Sequence, residues 1–350
     1  IPTLVDEEGD TIDEDANAIG DLDIADDLLL TGIGAEATII DGGGTDRVLD
    51  VLAAANVTIE GFTIRHGRVS EMGGGLSNSG TLVLNRVHIT DNFAASGFRI
   101  GHGGGLFNDG VLTVTDSLIA NNRAQGGEAS YGEGGGIRND GLLTLVTSSI
   151  VDNSTSDDND TGLGGGLRNA GTALLEGCTI RNNSTSISGQ GGGIYNLGEL
   201  TLIGCTLTQN RALKGAGLAN LGGAVIVATT FLTANETYAE SGGEGGAIYD
   251  ASGPFTITHS TIADNYGASA GGGIVHSSAA PMTIIASTIA RNRTDNSGGG
   301  IFNNLVGDVQ PLHIVNTTIY SNSAGVAGGI AIDGGPVTLL NSTVAGNQAT

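Results

Sequence analysis

The sequence has 350 residues, with 61 glycines, only 5 prolines, 39% apolar residues and a net charge of −24. The glycines follow no Gly-X-Y period, so a collagen triple helix is excluded, and the scarcity of proline argues against a proline-rich disordered chain. With 13 basic residues against 37 acidic ones, the chain repels phosphate backbones, so no nucleic-acid partner is expected. No apolar run approaches the ~18 residues of a spanning helix, so no membrane span is expected.

Residues 1–30 differ from the rest and predict an acidic N-terminal cap, a polar cover over the first turn of a repeat fold. They contain no Lys or Arg in the first 27 positions, and their carboxylates are Asp6, Glu7, Glu8, Asp10, Asp13, Glu14, Asp15, Asp21, Asp23, Asp26 and Asp27. Such a run suits Ca²⁺, which takes several oxygen ligands, but it lacks the spacing of an EF-hand loop. The sequence therefore assigns no cofactor and no metal ligand, and leaves Ca²⁺ at this run as an alternative.

Residues 31–350 predict a β-solenoid whose repeat is most regular from residue 73 onward. A Gly-Gly-Gly triplet or a close variant recurs at intervals of 24 to 31 residues, and a period of this size is typical of stacked coils. The first apolar residues after the triplets are Leu76, Leu106, Ile137, Leu167, Ile194, Leu218, Ile248, Ile274, Ile301 and Ile330.

Each repeat divides into three short strand patterns, for example Leu106–Asn108, Leu112–Val114 and Ser117–Ile119. Apolar residues alternate with Thr inside the patterns, which indicates strands with one buried face. No helical stretch of about ten residues separates them, which excludes βαβ units. The sequence therefore predicts an all-β, single-stranded parallel β-helix with three parallel sheets and about a dozen rungs, from which variable loops emerge after the third strand.

Two asparagine columns follow when the repeats are stacked. Asn tolerates left-handed corner geometry, and stacked amides can hydrogen-bond one another along the rod. We therefore interpret both columns as structural ladders at the corners, in preference to a ligand-binding row of amides. The first contains Asn78, Asn108, Asn139, Asn169, Asn196 and Asn220, continued by Asp250, His276 and Asn303; the second contains Asn92, Asn122, Asn153, Asn183, Asn210, Asn235, Asn265 and Asn292, continued by Asn322 and Asn347.

One further column is a candidate binding surface, because alternation places it on the outside of the first strand. Aromatic and arginine side chains there could stack on sugar rings or pair with the carboxylates of an acidic glycan. Ordinary filling of a β-surface is the simpler alternative, and strand statistics favour it. The members of the candidate column are Phe107, Arg138, Arg168, Tyr195, Tyr249 and Phe302.

No catalytic residue can be assigned. The chain has no phosphate loop or His-x-x-x-His pair, and its carboxylates are scattered over the strand positions. The balance is against an enzyme, although a solenoid brings together residues that are distant in sequence. Cys178 and Cys205 occupy equivalent places in successive repeats, and we expect two buried free thiols, since adjacent parallel strands give poor geometry for a disulfide.

The chain resembles exported prokaryotic β-helix proteins with polymorphic-outer-membrane-protein-like repeats, which share the pectate-lyase-like fold. The resemblance covers roughly residues 20–350. It rests on Thr38–Gly44 followed by Arg47-Val48, on the recurring Gly-Gly-Gly-Ile/Leu-x-Asn-x-Gly-x-Leu-x-Leu, and on Ser-Thr-Ile-x-x-Asn at 260–265 and 287–292. It implies an extracellular or cell-surface location and a right-handed coil, as the handedness rule for parallel crossovers also does.

Two functions follow as expectations. The first is a structural or adhesive surface rod that self-associates through the ends of its β-helix, stacking into a filament, and contacts surface glycans. The alternative is a carbohydrate-binding or polysaccharide-degrading protein, either a lyase or a hydrolase. A groove that holds two or three carboxylates beside arginine would favour the alternative.

Overall fold

A computed structural model describes residues 20–95, 101–127, 131–156, 161–239, 242–305 and 311–350. No α-helix occurs in these segments, and the strands pair only in parallel. Three twelve-stranded sheets stack through about eleven turns, which confirms the predicted parallel β-helix with its three parallel sheets. At ~4.8 Å per turn, the stacked strands extend over about 53 Å.

The three sheets follow one another within every turn. Sheet 1 contains Leu22–Ile24, Leu49–Val51, Leu76–Asn78, Leu106–Asn108, Ile137–Asn139, Leu167–Asn169, Ile194–Asn196, Leu218–Asn220, Ile248–Asp250, Ile274–His276, Ile301–Asn303 and Ile330–Ile332. Sheet 2 contains Leu28–Thr31, Asn56–Glu60, Thr81–Asn85, Val111–Thr115, Leu142–Val146, Thr172–Glu176, Glu199–Ile203, Val225–Ala228, Phe255–Thr258, Met282–Ile285, Leu312–Val315 and Val337–Leu340. Sheet 3 contains Ile39–Asp41, Thr63–Arg65, His88–Thr90, Leu118–Ala120, Ser149–Val151, Thr179–Arg181, Thr206–Thr208, Phe231–Thr233, Thr261–Ala263, Thr288–Ala290, Thr318–Tyr320 and Thr343–Ala345.

A fourth, shorter sheet lies where the sequence analysis placed only loops. Its strands follow the second asparagine column, and isolated bridges through Ser184 join its two parts. Sheet 4 contains Arg68–Val69, Phe93–Ala95, Arg123–Gln125 and Ser154–Ser156, then Arg211–Ala212, Glu236–Thr237, Tyr266–Gly267, Arg293–Thr294, Ser323–Ala324 and Gln348–Ala349. The variable loops therefore begin one short strand later than expected.

Alternation along the strands builds one continuous apolar core. Leu112 and Val114 point inward and are almost fully buried, while Thr113 between them points outward and is half-buried. The neighbouring strands have the same alternation in register, so that Leu112, for example, stacks on Leu143. Complete burial of such a side chain contributes roughly 1.5–3 kcal/mol, so the stacked Leu, Ile and Val columns are the main source of stability.

Both asparagine columns form the expected ladders. In the first, each Nδ2 from Asn78 to Asn196 donates to the Oδ1 of the next asparagine at 2.7–2.9 Å. In the second, the same bond runs from Asn92 to Asn347 at 2.9–3.1 Å. The ladder side chains up to Asn322 are buried, so this network satisfies polar groups that water does not reach.

The physical reason for the second ladder differs from the expected one. The residue with left-handed backbone geometry is the one before each ladder asparagine, for example Asn121 (φ 56°) before Asn122. That position also accepts Asp152, Gln209 and Ala234. The ladder therefore requires asparagine for its paired donor and acceptor rather than for its backbone conformation.

The glycine triplets allow the left-handed turn and also leave space for the asparagine side chains of this ladder. Gly103 begins its triplet with φ of 63°. At Gly105, which ends the triplet, an added Cβ would lie 2.8 Å from Cγ of Asn122 and 2.7 Å from the Gly136 carbonyl oxygen. The triplet thus leaves room for the buried amides.

The N-terminal boundary drawn at residue 30 lies inside the solenoid. Leu22–Ile24 already pairs with Leu49–Val51 in sheet 1, and Leu28–Thr31 pairs with Asn56–Glu60 in sheet 2. Residues 1–19, which hold most of the acidic run, lie outside the described residues, and the cap stays a prediction for them.

Candidate functional site

The candidate column lies on the outer side of sheet 1, in register from turn to turn. Phe107 pairs with Arg138, Arg138 with Arg168 and Arg168 with Tyr195; Tyr249 and Phe302 follow further along the same row. The row points away from the core but is not an open platform, since Phe107 is only 8% and Tyr195 only 7% exposed. We call these six residues the sheet 1 row.

A second row of side chains lies beside the sheet 1 row and explains its burial. The residue directly before each glycine triplet forms a parallel bridge with its counterpart in the next turn. The members of this row are Met72, His102, Glu133, Leu163, Gln190, Lys214, Glu244, Ala270, Ser297 and Val326. Leu163, Tyr195 and Ala219 form a small apolar cluster at this junction. Alternation alone could not predict this packing, because these residues end loops of variable length.

The two rows together build a partly buried cluster of charges around Glu133. Its Oε2 lies 3.0 Å from Nη1 of Arg138 and 3.1 Å from Nε of Arg168. Asp140 binds the same two guanidinium groups, at 2.8 Å and 2.6 Å. Nε2 of His102 lies 3.5 Å from Glu133 Oε2. Two carboxylates therefore lie beside two arginines.

Burial changes the acid–base properties of this cluster. Desolvation raises the pKa of Glu133 above its usual 4.5, although the nearby charge of Arg168 opposes the shift. Desolvation also lowers the pKa of Arg138, and its hydrogen bond to Asp140 opposes that change. A carboxyl group with a raised pKa is a suitable proton donor when it lies in a cleft. Glu133 is thus the best acid–base candidate in the described part of the chain.

Other members of the sheet 1 row have separate partners. The Nζ of Lys214 lies 4.6 Å from the centroid of the Tyr249 ring and 2.9 Å from Oε2 of Glu244. The guanidinium of Arg138 lies 5.7 Å from the centroid of the Phe107 ring. The row is therefore divided into local groups and does not form one continuous aromatic surface.

Three acidic residues near the N-terminus form a compact cluster. Asp21, Asp23 and Asp50 bring carboxylate oxygens within 4.8 Å of one another. However, Nη1 of Arg47 lies 3.1 Å from both Asp21 and Asp50. A cation from the protein itself therefore offsets part of the negative charge of this cluster.

The first ladder contains one buried ionisable pair. Asp250 accepts from Nδ2 of Asn220 at 3.0 Å, and Nδ1 of His276 lies 2.8 Å from its other oxygen. Both side chains are fully buried. Desolvation raises the pKa of Asp250, while the hydrogen bond to His276 lowers it. The pair replaces two asparagines in the ladder and has no access to a ligand.

The two cysteines are buried free thiols, as predicted. They belong to a column of hydroxyl residues that supports the corner between sheets 2 and 3. Ser117, for example, accepts from the backbone N–H of Val87 and donates to the carbonyl of Thr115. The Cys178 thiol lies against the carbonyl of Glu176 in the same way. The cysteines are therefore structural members of this column.

Comparison with known proteins agrees with this architecture. Residues 224–350 match the family model described as a right handed beta helix region. No curated protein and no solved structure matches the chain. No helix in the described residues is long and apolar enough to cross a membrane. The fold is therefore a right-handed parallel β-helix, and the function has to be argued from the site.

Proposed function

We propose that the protein is a structural or adhesive rod of the cell surface or the extracellular space. The observation that supports this proposal is the pair of buried amide ladders that accompany the apolar core along the solenoid. Close-packed cores and satisfied polar networks resist bending. Such a rod holds its outer rows and loops at fixed spacings, which suits repeated contacts with a surface glycan.

The turn formed by residues 330–349 has inward-pointing apolar side chains that are exposed. Leu339 and Val344 are in register with the buried Ile314 and Ile319 and so point into the core, yet they are 45% and 48% exposed. The strands of this turn also present backbone groups that a further strand could pair with. We propose that a second copy of this 350-residue chain covers this end, which is the first step toward a filament.

Lysine at both positions, Leu339→Lys with Val344→Lys, is expected to weaken self-association at least tenfold, because it places two charges in an apolar contact. Sedimentation velocity over a range of protein concentrations measures this. Leu142→Lys is the matched control, since Leu142 is equally exposed on the side of the rod. A wild-type chain that stays monomeric at every concentration contradicts end-to-end stacking.

A second candidate function, a glycan-degrading enzyme, is favoured by the cluster around Glu133. Glycoside hydrolysis uses two nearby carboxylates, one of which donates a proton and therefore has a raised pKa. Glu133 and Asp140 bind the same guanidinium groups, which places them near each other, and burial raises the pKa of Glu133. Glu133 would act as the acid in this proposal, with Asp140 as the second carboxylate.

If Glu133 is the acid, product formation from acidic or neutral polysaccharides will fall as the pH rises through its pKa, which lies above 4.5. The reason is that only the protonated carboxyl group can donate. Glu133→Gln is expected to reduce the rate at least a hundredfold, and Glu199→Gln, an exposed acid on sheet 2, to leave it unchanged. New reducing ends and unsaturated products are the readouts; their absence with every substrate tested rejects the enzyme.

A further inference from the structure

Most basic side chains of this acidic protein have a carboxylate partner. The residues that form such ion pairs are Arg47, Arg65, Arg86, Arg138, Arg168, Lys214, Arg291 and Arg293. Within the described segments, no ion pair involves Arg68, Arg123, Arg181 or Arg211. With 37 acidic residues against 13 basic ones, arginines without a carboxylate partner are unexpected, so the position of these arginines is informative.

Three of these four arginines share one row on the outer face of sheet 4. Parallel pairing stacks this row turn by turn, and its members are Arg68, Phe93, Arg123, Ser154, Ser184, Arg211, Glu236, Tyr266 and Arg293. Arg68 and Arg123 are two turns apart, and Arg123 and Arg211 are three turns apart. At ~4.8 Å per turn, the two intervals are about 10 Å and about 14 Å. We call this the sheet 4 row.

Aromatic rings hold these guanidinium groups in place. Arg68 and Arg123 lie 4.9 Å and 5.5 Å from the centroid of the Phe93 ring, on neighbouring turns. Arg211 lies 4.6 Å from the centroid of Tyr238, whose hydroxyl donates to the Thr185 carbonyl at 2.6 Å. A cation–π contact uses the face of a guanidinium and leaves its N–H edge for polar partners. Nη2 of Arg123 donates to Oγ of Ser156 at 2.9 Å, and its other N–H groups remain for a carboxylate or sulfate. The three arginines are therefore pre-arranged for anions.

A polar trough runs along the row from Ser154 past Arg211 to Glu236, and Asp152 and Glu236 lie in its lining. It has a volume of about 720 Å³, and it forms because the two members of the row between Arg123 and Arg211 are the small residues Ser154 and Ser184. Amide and carboxylate side chains line the rest of it, including Asn182. A second depression of about 500 Å³ continues it along the rod and shares its edge with the first. Such a lining offers donors and acceptors to the hydroxyl groups of a sugar chain.

We propose that the sheet 4 row binds a linear glycan that carries carboxylate or sulfate groups on some of its sugars. The anionic groups pair with Arg68, Arg123 and Arg211, and the neutral sugars between them lie in the trough. This binding face is distinct from the cluster around Glu133 and from the end of the rod.

The spacing of the arginines matches a sparsely charged glycan better than it matches other polyanions. Duplex DNA carries one charge per ~1.7 Å, far denser than intervals of about 10–14 Å, and the net charge of −24 repels it strongly. An extended peptide that adds to a sheet needs an unpaired strand edge, whereas each inner strand of this row already pairs with both neighbours. A sparsely charged glycan has fewer anionic groups per length, so the net charge repels it less than duplex DNA, and it needs no strand edge.

Isothermal titration of the full chain with a decasaccharide that alternates uronate and neutral sugars tests the proposal. Arg123→Gln and Arg211→Gln are each expected to weaken binding about tenfold, the value of one charge-assisted hydrogen-bonded contact. Arg211→Lys keeps the charge but loses the planar edge, so an intermediate loss is expected. Arg86→Gln is the matched control, because it removes an arginine that is paired with Glu60 at another corner.

Several outcomes would overturn the proposal. The first is that a chain whose circular dichroism shows intact β-structure does not bind the uronate decasaccharide. The second is that it binds a neutral decasaccharide equally well, or a single-stranded oligonucleotide more tightly. The third is that both glutamine variants bind the uronate decasaccharide with unchanged affinity. The Leu339/Val344 double variant is expected to bind the uronate decasaccharide as the wild type does. This result separates a failure of the glycan proposal from a failure of end-to-end stacking.

Discussion

Replacing Asn122 with alanine is expected to lower the free energy of unfolding by about 3–5 kcal/mol. Asn122 is 1% exposed and accepts from the backbone N–H and the Nδ2 of Asn92, at 3.0 Å and 2.9 Å. It also donates to the carbonyl of Ile89 and to Asn153. Alanine leaves several of these buried groups without a partner, and each such group costs roughly 1–3 kcal/mol. Urea unfolding followed by circular dichroism measures the change.

The neighbouring residue supplies the control for this experiment. Asn121 is exposed and has left-handed backbone geometry, which glycine adopts readily. Asn121→Gly is therefore expected to change stability by no more than about 0.5 kcal/mol. If both substitutions change the free energy of unfolding equally, the hydrogen bonds of the ladder add no stability to that of the corner backbone.

The second large effect is expected at the buried pair in the first ladder. Asp250→Ala leaves the ring of His276 and the amide of Asn220 without their acceptor in a site that water does not reach. Each buried polar group that is left without its partner costs roughly 1–3 kcal/mol, so the two groups together cost about 2–6 kcal/mol. The free energy of unfolding should fall by that amount in urea titrations.

Restoring the ladder tests the reason for this loss. The double variant Asp250→Asn with His276→Asn gives every position from Asn78 to Asn303 the same amide, and a chain of hydrogen bonds can then run through the break. We expect its stability within about 1 kcal/mol of the wild type, because a buried ionic pair is often no more stable than a well-fitted replacement. A double variant as unstable as Asp250→Ala would mean that the pair has a role that amides cannot take.

The ladders and the core could be predicted because a solenoid repeats them. Leu112, Leu143 and their equivalents recur with the glycine triplet, and each turn supplies an independent copy of the same evidence. The columns of asparagine were predictable for the same reason. The cause of the second column was not, since the sequence does not reveal that Asn121, and not Asn122, adopts the left-handed conformation.

The candidate sites were harder to predict because they depend on residues that do not repeat. Glu133 directly precedes a glycine triplet, and its equivalents include Met72, Leu163 and Ala270, so no shared chemistry marks the position. Sheet 4 has strands of two or three residues whose outer positions vary from Arg68 to Ser154. A pattern this short has no periodicity, and only the stacking of the turns brings its arginines into one row.

The most direct test of the central claim, that buried and hydrogen-bonded amide ladders run along this rod, is hydrogen exchange of asparagine side chains. In NMR spectra of the protein with ¹⁵N-labelled asparagine, the Nδ2 protons of Asn122, Asn153 and Asn183 should exchange as slowly as backbone amides of the core, since they are buried and hydrogen-bonded. Those of Asn121, which is exposed, should exchange rapidly. Rapid exchange at all four residues would contradict the account.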